Sequence, residues 1–163
     1  MIPERVFVGL GSNLGDPQEQ LTQALRALAQ LPQTRLLASS TLYRSAPLLA
    51  SGPDFINAVA ELATELEPLP LLAALQAIEA AQGRQRSMLN APRTLDLDLL
   101  MYGQRQMAAP QLSLPHPRLH ERAFVLLPLL ELAPDLAHPL LGPLQALVAA
   151  TLDQRLDRLH PNT

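Results

Sequence analysis

Residues 92–100 read Pro-Arg-Thr-Leu-Asp-Leu-Asp-Leu-Leu, so Leu95, Leu97 and Leu99 alternate with Asp96 and Asp98. An extended strand projects successive side chains to opposite faces; the leucines therefore share one face and the two carboxylates the other. Along such a strand the carboxylates lie roughly 6.5–7 Å apart. Aspartate is depleted in strands and like charges at this separation repel, so cations are the natural compensation. Hard oxygen donors on a rigid element suit Mg²⁺, which takes one or two carboxylates and leaves its other positions to water and phosphate. The same alternation also describes a solvated acidic edge strand, where charge discourages aggregation.

Arginines surround this pair. Arg84, Arg86 and Arg93 bracket the connection into the strand, and Arg122 follows later. ATP carries about −4, two aspartates add −2 and two Mg²⁺ bring +4, which leaves roughly two negative charges for fixed cations. A nucleotide–metal site accounts for the arginines; four solvated surface residues are the plainer alternative. His116, within Leu114-Pro115-His116-Pro117-Arg118, is of a type that holds a phosphate oxygen or moves a proton, although a loop histidine more often does neither. His120, His138 and His160 show no metal-ligand spacing. Gln76 and Glu79, three apart, share one helix face offset from the Leu72/Leu75 stripe, as an ordinary solvated face would. Asn57 follows Phe55 by two residues, so a ring and an amide share one side of a strand. Together with Phe124 they could stack on and hydrogen-bond a flat heterocycle, or simply pack in a core.

These residues need elements to position them. Residues 5–10 read as a buried first strand, 36–43 as a second and 55–63 as a third. Asp16 and Pro17 open a helix whose stripe is Leu21, Ala24, Leu25 and Leu28. Pro68 opens another with Leu71, Leu72, Leu75 and Ile78 inward, and Gly83 is its expected terminator. Gly103-Gln104 turns the Asp-bearing strand back, residues 110–114 suit a short extra strand, and helices are expected near 124–133 and 143–152. The polar tail 153–163 is expected to fray. Gly9 to Gly15 lacks both the P-loop ending and the dinucleotide glycine spacing; it reads as a tight turn with Gly11 and Gly15 at special backbone angles. The order βαββαβ predicts an α+β fold with helices packed on a mostly antiparallel sheet, ferredoxin-like in type. Two successive strands without a helix between them argue against a doubly wound parallel sheet.

With 163 residues the chain is expected to form a single domain over 1–163. Cysteine is absent, which excludes disulfides, thiolate catalysis and Cys-ligated metals. All 12 basic residues are arginines, so lysine Schiff-base chemistry is excluded too. A net charge of −3 argues against a nucleic-acid coat. No signal peptide and no apolar run of about 20 residues is seen, so no membrane partner and a cytoplasmic address are expected. A monomer is the expectation for this size.

Taken in order, these segments resemble the 6-hydroxymethyl-7,8-dihydropterin pyrophosphokinases of folate biosynthesis. Pro92–Leu99 looks like that family's signature. Supporting matches are Gly11-Ser12-Asn13-Leu14, Tyr43-Arg44 with Pro47-Leu48, Phe55-Ile56-Asn57-Ala58, Gln76-Ala77-Ile78-Glu79 with Gly83-Arg84, Leu114-Pro115-His116 and Arg122-Ala123-Phe124-Val125-Leu126. The resemblance implies transfer of pyrophosphate from ATP, as co-substrate, to the pterin hydroxymethyl group. It implies that Asp96 and Asp98 hold two Mg²⁺, with Arg84 and Arg93 also catalytic. Arg84, Arg86, Arg93 and Arg122 would bind ATP phosphates, with Ser113 and His116 helping, and Gln76, Glu79 and Leu99 would complete the nucleotide site. Phe55 and Phe124 would sandwich the pterin, whose edge Asn57 and the backbone at Ser45, Pro47 and Leu48 would read. Two loops, about 45–53 and 84–92, would close over the substrates. Phe55 stands where the family commonly has Tyr, Asn90 where it often has a sealing aromatic, Gln111 where it has Arg and Pro117 where it has Tyr.

The residues alone leave two other readings: a different two-metal phosphotransferase or phosphohydrolase, indifferent to pterin, and a ferredoxin-like module that binds without turnover.

Overall fold

The computed structural model describes residues 2–47, 52–84 and 95–159, without the side chain of Arg84. Strand β1, Glu4–Ser12, leads through a turn into helix α1, Pro17–Ala29. The turn works as expected at its helix end: Asp16 caps α1 by accepting the Glu19 N–H at 3.2 Å, and Pro17 occupies the first turn. Strands β2, Thr34–Ser39, β3, Tyr43–Ser45, and β4, Phe55–Thr64, follow. The expected single strand over 36–43 is thus two strands, because Ser40 leaves the ladder to donate its N–H to the Val59 carbonyl and to accept the Val59 N–H on its hydroxyl. Helix α2, Pro68–Glu79, runs on into a π-helical turn, Ala80–Arg84, so Gly83 lies within helical structure instead of ending it.

Strand β5, Asp96–Tyr102, carries the aspartates. Strands β6, Met107–Ala108, and β7, Ser113–Leu114, pair as a small ribbon, which places the expected extra strand at its last two positions. Helix α3, Ala123–Leu132, matches its expected span. Strands β8, Ala137–His138, and β9, Gly142–Pro143, precede a 3₁₀ helix, Leu144–Thr151, where an ordinary helix was expected. The tail does not fray over its whole length: β10, Leu156–Arg158, pairs with β3 at the sheet edge. Its backbone donors and acceptors find a ladder partner there, which the polar composition does not reveal.

The main sheet runs β10-β3-β4-β1-β5 with β2 also on β4, and every described pairing is antiparallel. If β2 and β3 count as one interrupted strand, the order is that of a ferredoxin-like βαββαβ unit. The two sheet faces bury separate cores. Leu21, Ala24 and Leu28 of α1 and Leu71, Leu75 and Ile78 of α2 pack on Val6, Val8, Leu10, Leu97 and Leu99. Val125, Leu126 and Leu129 of α3 pack on Phe7, Val59, Leu100 and Met101. A register shift between Phe7 and Val8 marks a bulge in the β1–β5 ladder, with Leu99 and Met101 opposite consecutive residues of β1. Leu100, between them, joins Met101 on the α3 side, so the two leucines Leu99 and Leu100 enter different cores.

Candidate active site

Leu95, Leu97 and Leu99 face the α1/α2 core, so Asp96 and Asp98 face the α3 side of the sheet. Asp96 is half-buried and Asp98 exposed. The strand beside them is β1, which sets Gly11 opposite Asp96 and Gly9 opposite Asp98. Glycine at two alternate positions of one strand strips that face of side chains and opens a floor next to the carboxylates. The reason for Gly11 is therefore space: a methyl group there would sit 3.3 Å from Asn57 Oδ1 and 3.9 Å from Phe55 Cδ1. The expectation of a special backbone angle holds for Gly15, at φ +66°, and not for Gly11, which lies in β1.

A cavity of about 400 Å³ stands on this floor. That volume is in the range of small-molecule sites. Asp96, Asp98, Gly9 and Gly11 bound one part of it. Ser45, Pro47, Phe55 and Asn57 form a second wall, and Arg122 and Phe124 a third. Each wall follows from local structure. Phe55 and Asn57 point the same way from β4, as their spacing predicts. Asn57 is buried, and its Nδ2 donates to Ser45 Oγ at 2.7 Å, which fixes the amide. Arg122 is the N-cap position of α3, and Phe124 lies in the first turn. The Arg122 guanidinium lies over the Phe124 ring, 5.6 Å from its centroid.

Other assigned residues lie outside the cavity wall. Glu79 is not on a solvated face: it is 5% exposed, and its carboxylate accepts the Leu97 N–H at 2.8 Å, between the two aspartates. Gln76, three residues earlier on α2, is exposed. Leu99 turns its side chain into the core, so any ligand contact there falls to its main chain. Ser113 is exposed on β7. His116 is anchored beside β5 by donating its N–H to the Leu100 carbonyl at 2.8 Å. Burial, then the charges of Arg122 and Arg118, hold its ring below the ordinary histidine value. Arg122 thus links His116 electrostatically to the cavity. Leu48, Arg86, Asn90 and Arg93, the side chain of Arg84, and most of the two expected loops lie outside the described residues.

The sequence reading missed the glycine floor and Asn13, which also lines the cavity. The signal was present: Gly9 and Gly11 have the same two-residue period as the aspartates. Two carboxylates on one wall suit Mg²⁺ better than a metal needing an all-protein cage, for no cluster of three His, Cys, Asp or Glu occurs among the described residues.

Comparisons with known proteins identify the family of this chain. The family model described as 7,8-dihydro-6-hydroxymethylpterin-pyrophosphokinase (HPPK) matches residues 7–134. The 2-amino-4-hydroxy-6-hydroxymethyldihydropteridine pyrophosphokinase of Pseudomonas aeruginosa is 52% identical over 157 residues, 96% of this chain and 97% of that protein. The protein of the same name from Haemophilus influenzae is 45% identical over 156 residues, 95% of this chain and 98% of that protein. A crystal structure of HPPK-DHPS in complex with substrates superposes on 94% of this chain with a TM-score of 0.75 at 11% identity, a likeness of fold alone. The chain spans 44% of that longer protein. With a family model over most of its length and relatives about half identical from end to end, the chain belongs to the 7,8-dihydro-6-hydroxymethylpterin-pyrophosphokinase family.

Proposed function

We propose that this protein transfers the terminal pyrophosphoryl group of ATP to the hydroxymethyl oxygen of 6-hydroxymethyl-7,8-dihydropterin, with release of AMP, in folate biosynthesis. One observation carries the reading: a single cavity has Asp96 and Asp98 on one wall and Phe55, Asn57 and Phe124 on the others. The first pair suits a metal-bound polyphosphate and the second set a flat, hydrogen-bonding ring.

In the reaction a bond forms between the pterin oxygen and the β-phosphorus of ATP. The bond from that phosphorus to the oxygen bridging the α-phosphate breaks, and its electron pair leaves with AMP. The hydroxyl proton passes to solvent, since phosphoryl transfer asks little of a general base. Two Mg²⁺ held by Asp96 and Asp98 would neutralise phosphate charge and polarise the transferred group. Arg122 places a permanent positive charge at the cavity, and Arg84, Arg86 and Arg93 are assigned the remaining phosphate charge, with Arg84 and Arg93 acting on the group in transfer. Ser113 and His116 assist at the phosphates, and Gln76, Glu79 and the Leu99 main chain belong to the nucleotide side.

The pterin ring stacks between Phe55 and Phe124. Asn57 offers its Oδ1 to ring N–H donors because its Nδ2 is committed to Ser45. The backbone at 45–48 reads the same edge. Closure of segments 45–53 and 84–92 excludes water, the competing acceptor. The protein acts on small molecules as a cytoplasmic monomer, without nucleic acid or membrane.

The test is a mixing experiment with nucleotide analysis. AMP forms from ATP only when both 6-hydroxymethyl-7,8-dihydropterin and Mg²⁺ are present. ADP as product, or AMP or free phosphate released without pterin, defeats the assignment.

A further inference from the structure

Three consecutive residues near the C-terminal end each hold a different part of the cavity wall. The N-cap of α3 is Arg122, which makes no side-chain cap bond. Arginine has no acceptor, so the first N–H groups of the helix need one from elsewhere. Gln154 supplies it from 31 residues away. Its Oε1 accepts the Ala123 N–H at 2.9 Å, and its Nε2 donates to the Glu121 carbonyl at 2.7 Å. Ala123 is the residue between Arg122 and Phe124, so this carboxamide grips the wall that carries both.

Arg155 ion-pairs with Asp54, the residue directly before Phe55. Leu156 pairs in register with Ser45, which itself pairs with Phe55 and accepts the Asn57 amide. Two residues on, the Arg158 Nε donates to Thr41 Oγ1 at 2.9 Å, and the same hydroxyl donates to Glu131 of α3 at 2.8 Å. The segment therefore crosses from the start of α3 to the β3–β4 edge and is bonded at both ends.

We propose that residues 154–158 are a positioning strap, which fastens the Phe124 wall to the Phe55 wall and sets the gap that receives the flat ring. This rests on the pterin reading of the cavity. No residue of the strap touches substrate in this scheme; Gln154 acts through Ala123, and Arg155 through Asp54. Asp96 and Asp98 lie on β5, away from these bonds. Arg155 reaches only the Phe55 wall, and Gln154 reaches Arg122, one of four arginines assigned to the phosphates, only through the backbone on either side of it, so the strap acts on pterin binding far more than on the metal–nucleotide side.

The experiment measures dissociation constants of the full-length protein for 6-hydroxymethyl-7,8-dihydropterin and, separately, for Mg²⁺ with a non-hydrolysable ATP analogue. In Gln154→Ala the pterin constant rises about fivefold and the nucleotide constant stays within about twofold, in proportion to the loss of two hydrogen bonds at one wall. Gln154→Glu keeps the acceptor and loses the donor, and falls between. Asp54→Arg and Arg155→Asp each weaken pterin binding, and the double variant recovers it. An unchanged pterin constant in folded Gln154→Ala overturns the strap, as does an equal rise in both constants. Should Gln154→Ala fail to fold, absence of recovery in the charge-swapped pair overturns it. Phe124→Ala separates the two ideas: if it leaves pterin affinity intact, the cavity reading itself fails and the strap with it. If Phe124→Ala weakens pterin while the strap variants do not, only the strap is lost.

Discussion

The Glu79 carboxylate accepts the backbone N–H of Leu97 at 2.8 Å, at the one residue that separates Asp96 from Asp98. Helix α2 thereby holds the middle of the acidic strand from behind while the leucines anchor it in the core. Replacing Glu79 with Ala strands a buried donor, which costs about 1–3 kcal/mol. Urea unfolding is expected to register that loss, and the Mg²⁺ concentration for half-maximal turnover to rise. Glu79→Gln keeps an acceptor and recovers most of both. A Glu79→Ala protein with unchanged stability and Mg²⁺ dependence would show that this bond does not hold the strand.

Asp98 is exposed and makes no part of either core, so its removal is expected to spare the fold. Asp98→Ala should lose about 10³-fold or more in kcat/KM, the scale of several kcal/mol of transition-state charge stabilisation. Circular dichroism and Tm should stay at their original values. Turnover within a factor of a few of the parent would remove Asp98 from the proposed metal site.

The glycine floor makes a steric prediction. A Cβ at Gly11 would lie 3.3 Å from Asn57 Oδ1, which the Ser45 bond prevents from moving freely. Gly11→Ala is expected to weaken pterin binding by about tenfold at a stability cost of about 1 kcal/mol. At Gly9 the nearest atoms are Leu100 side-chain carbons at 3.4–3.6 Å, close to ordinary contact, so Gly9→Ala should be milder. Calorimetric titration of both variants with pterin decides whether the order is as stated.

Two histidines give a pH dependence of stability. His116 Nδ1 accepts the Arg118 N–H, and His138 Nδ1 accepts the N–H groups of Leu140 and Leu141, all at 3.1 Å. Protonation turns each acceptor into a donor and breaks these bonds. Burial first, then Arg122 and Arg118 for His116 and His120 for His138, lowers both rings below the ordinary 6.5. The unfolded chain therefore takes up protons before the folded one. The stabilisation is complete above about pH 6.5 and is lost as pH falls through the lowered folded values. Denaturant midpoints between pH 5 and 8 should show this slope, and His116→Asn with His138→Asn should flatten it, because Asn keeps an acceptor that does not titrate.

Much of this molecule is written in local patterns. The alternation in 95–99 and the helix opening at Asp16-Pro17 rest on period and capping chemistry, which depend on neighbours in sequence. Phe55 and Asn57 share one face of β4 because of their two-residue spacing on a strand; that this face lines a cavity is a matter of tertiary packing. The break between β2 and β3 was not legible, since it follows from Ser40 bonding to Val59, 19 residues away. The Glu79 contact was likewise invisible: three-residue spacing from Gln76 says that the two share a helix face, not what meets that face. The orderly tail escaped for the same reason, because Leu156–Arg158 is a strand only where β3 offers an edge.

The amino-acid sequence on its own determined the chemical repertoire: paired carboxylates, arginines, two rings and an amide, together with the family to which they belong. Only the tertiary structure decided that Gly9 and Gly11 would be the floor between them, that Glu79 would support the acidic strand and that Gln154 would cap the helix bearing Phe124. Composition and spacing specify which groups a segment presents; which distant segment receives them is set by the packing of two cores on one sheet, an interaction with no local signature.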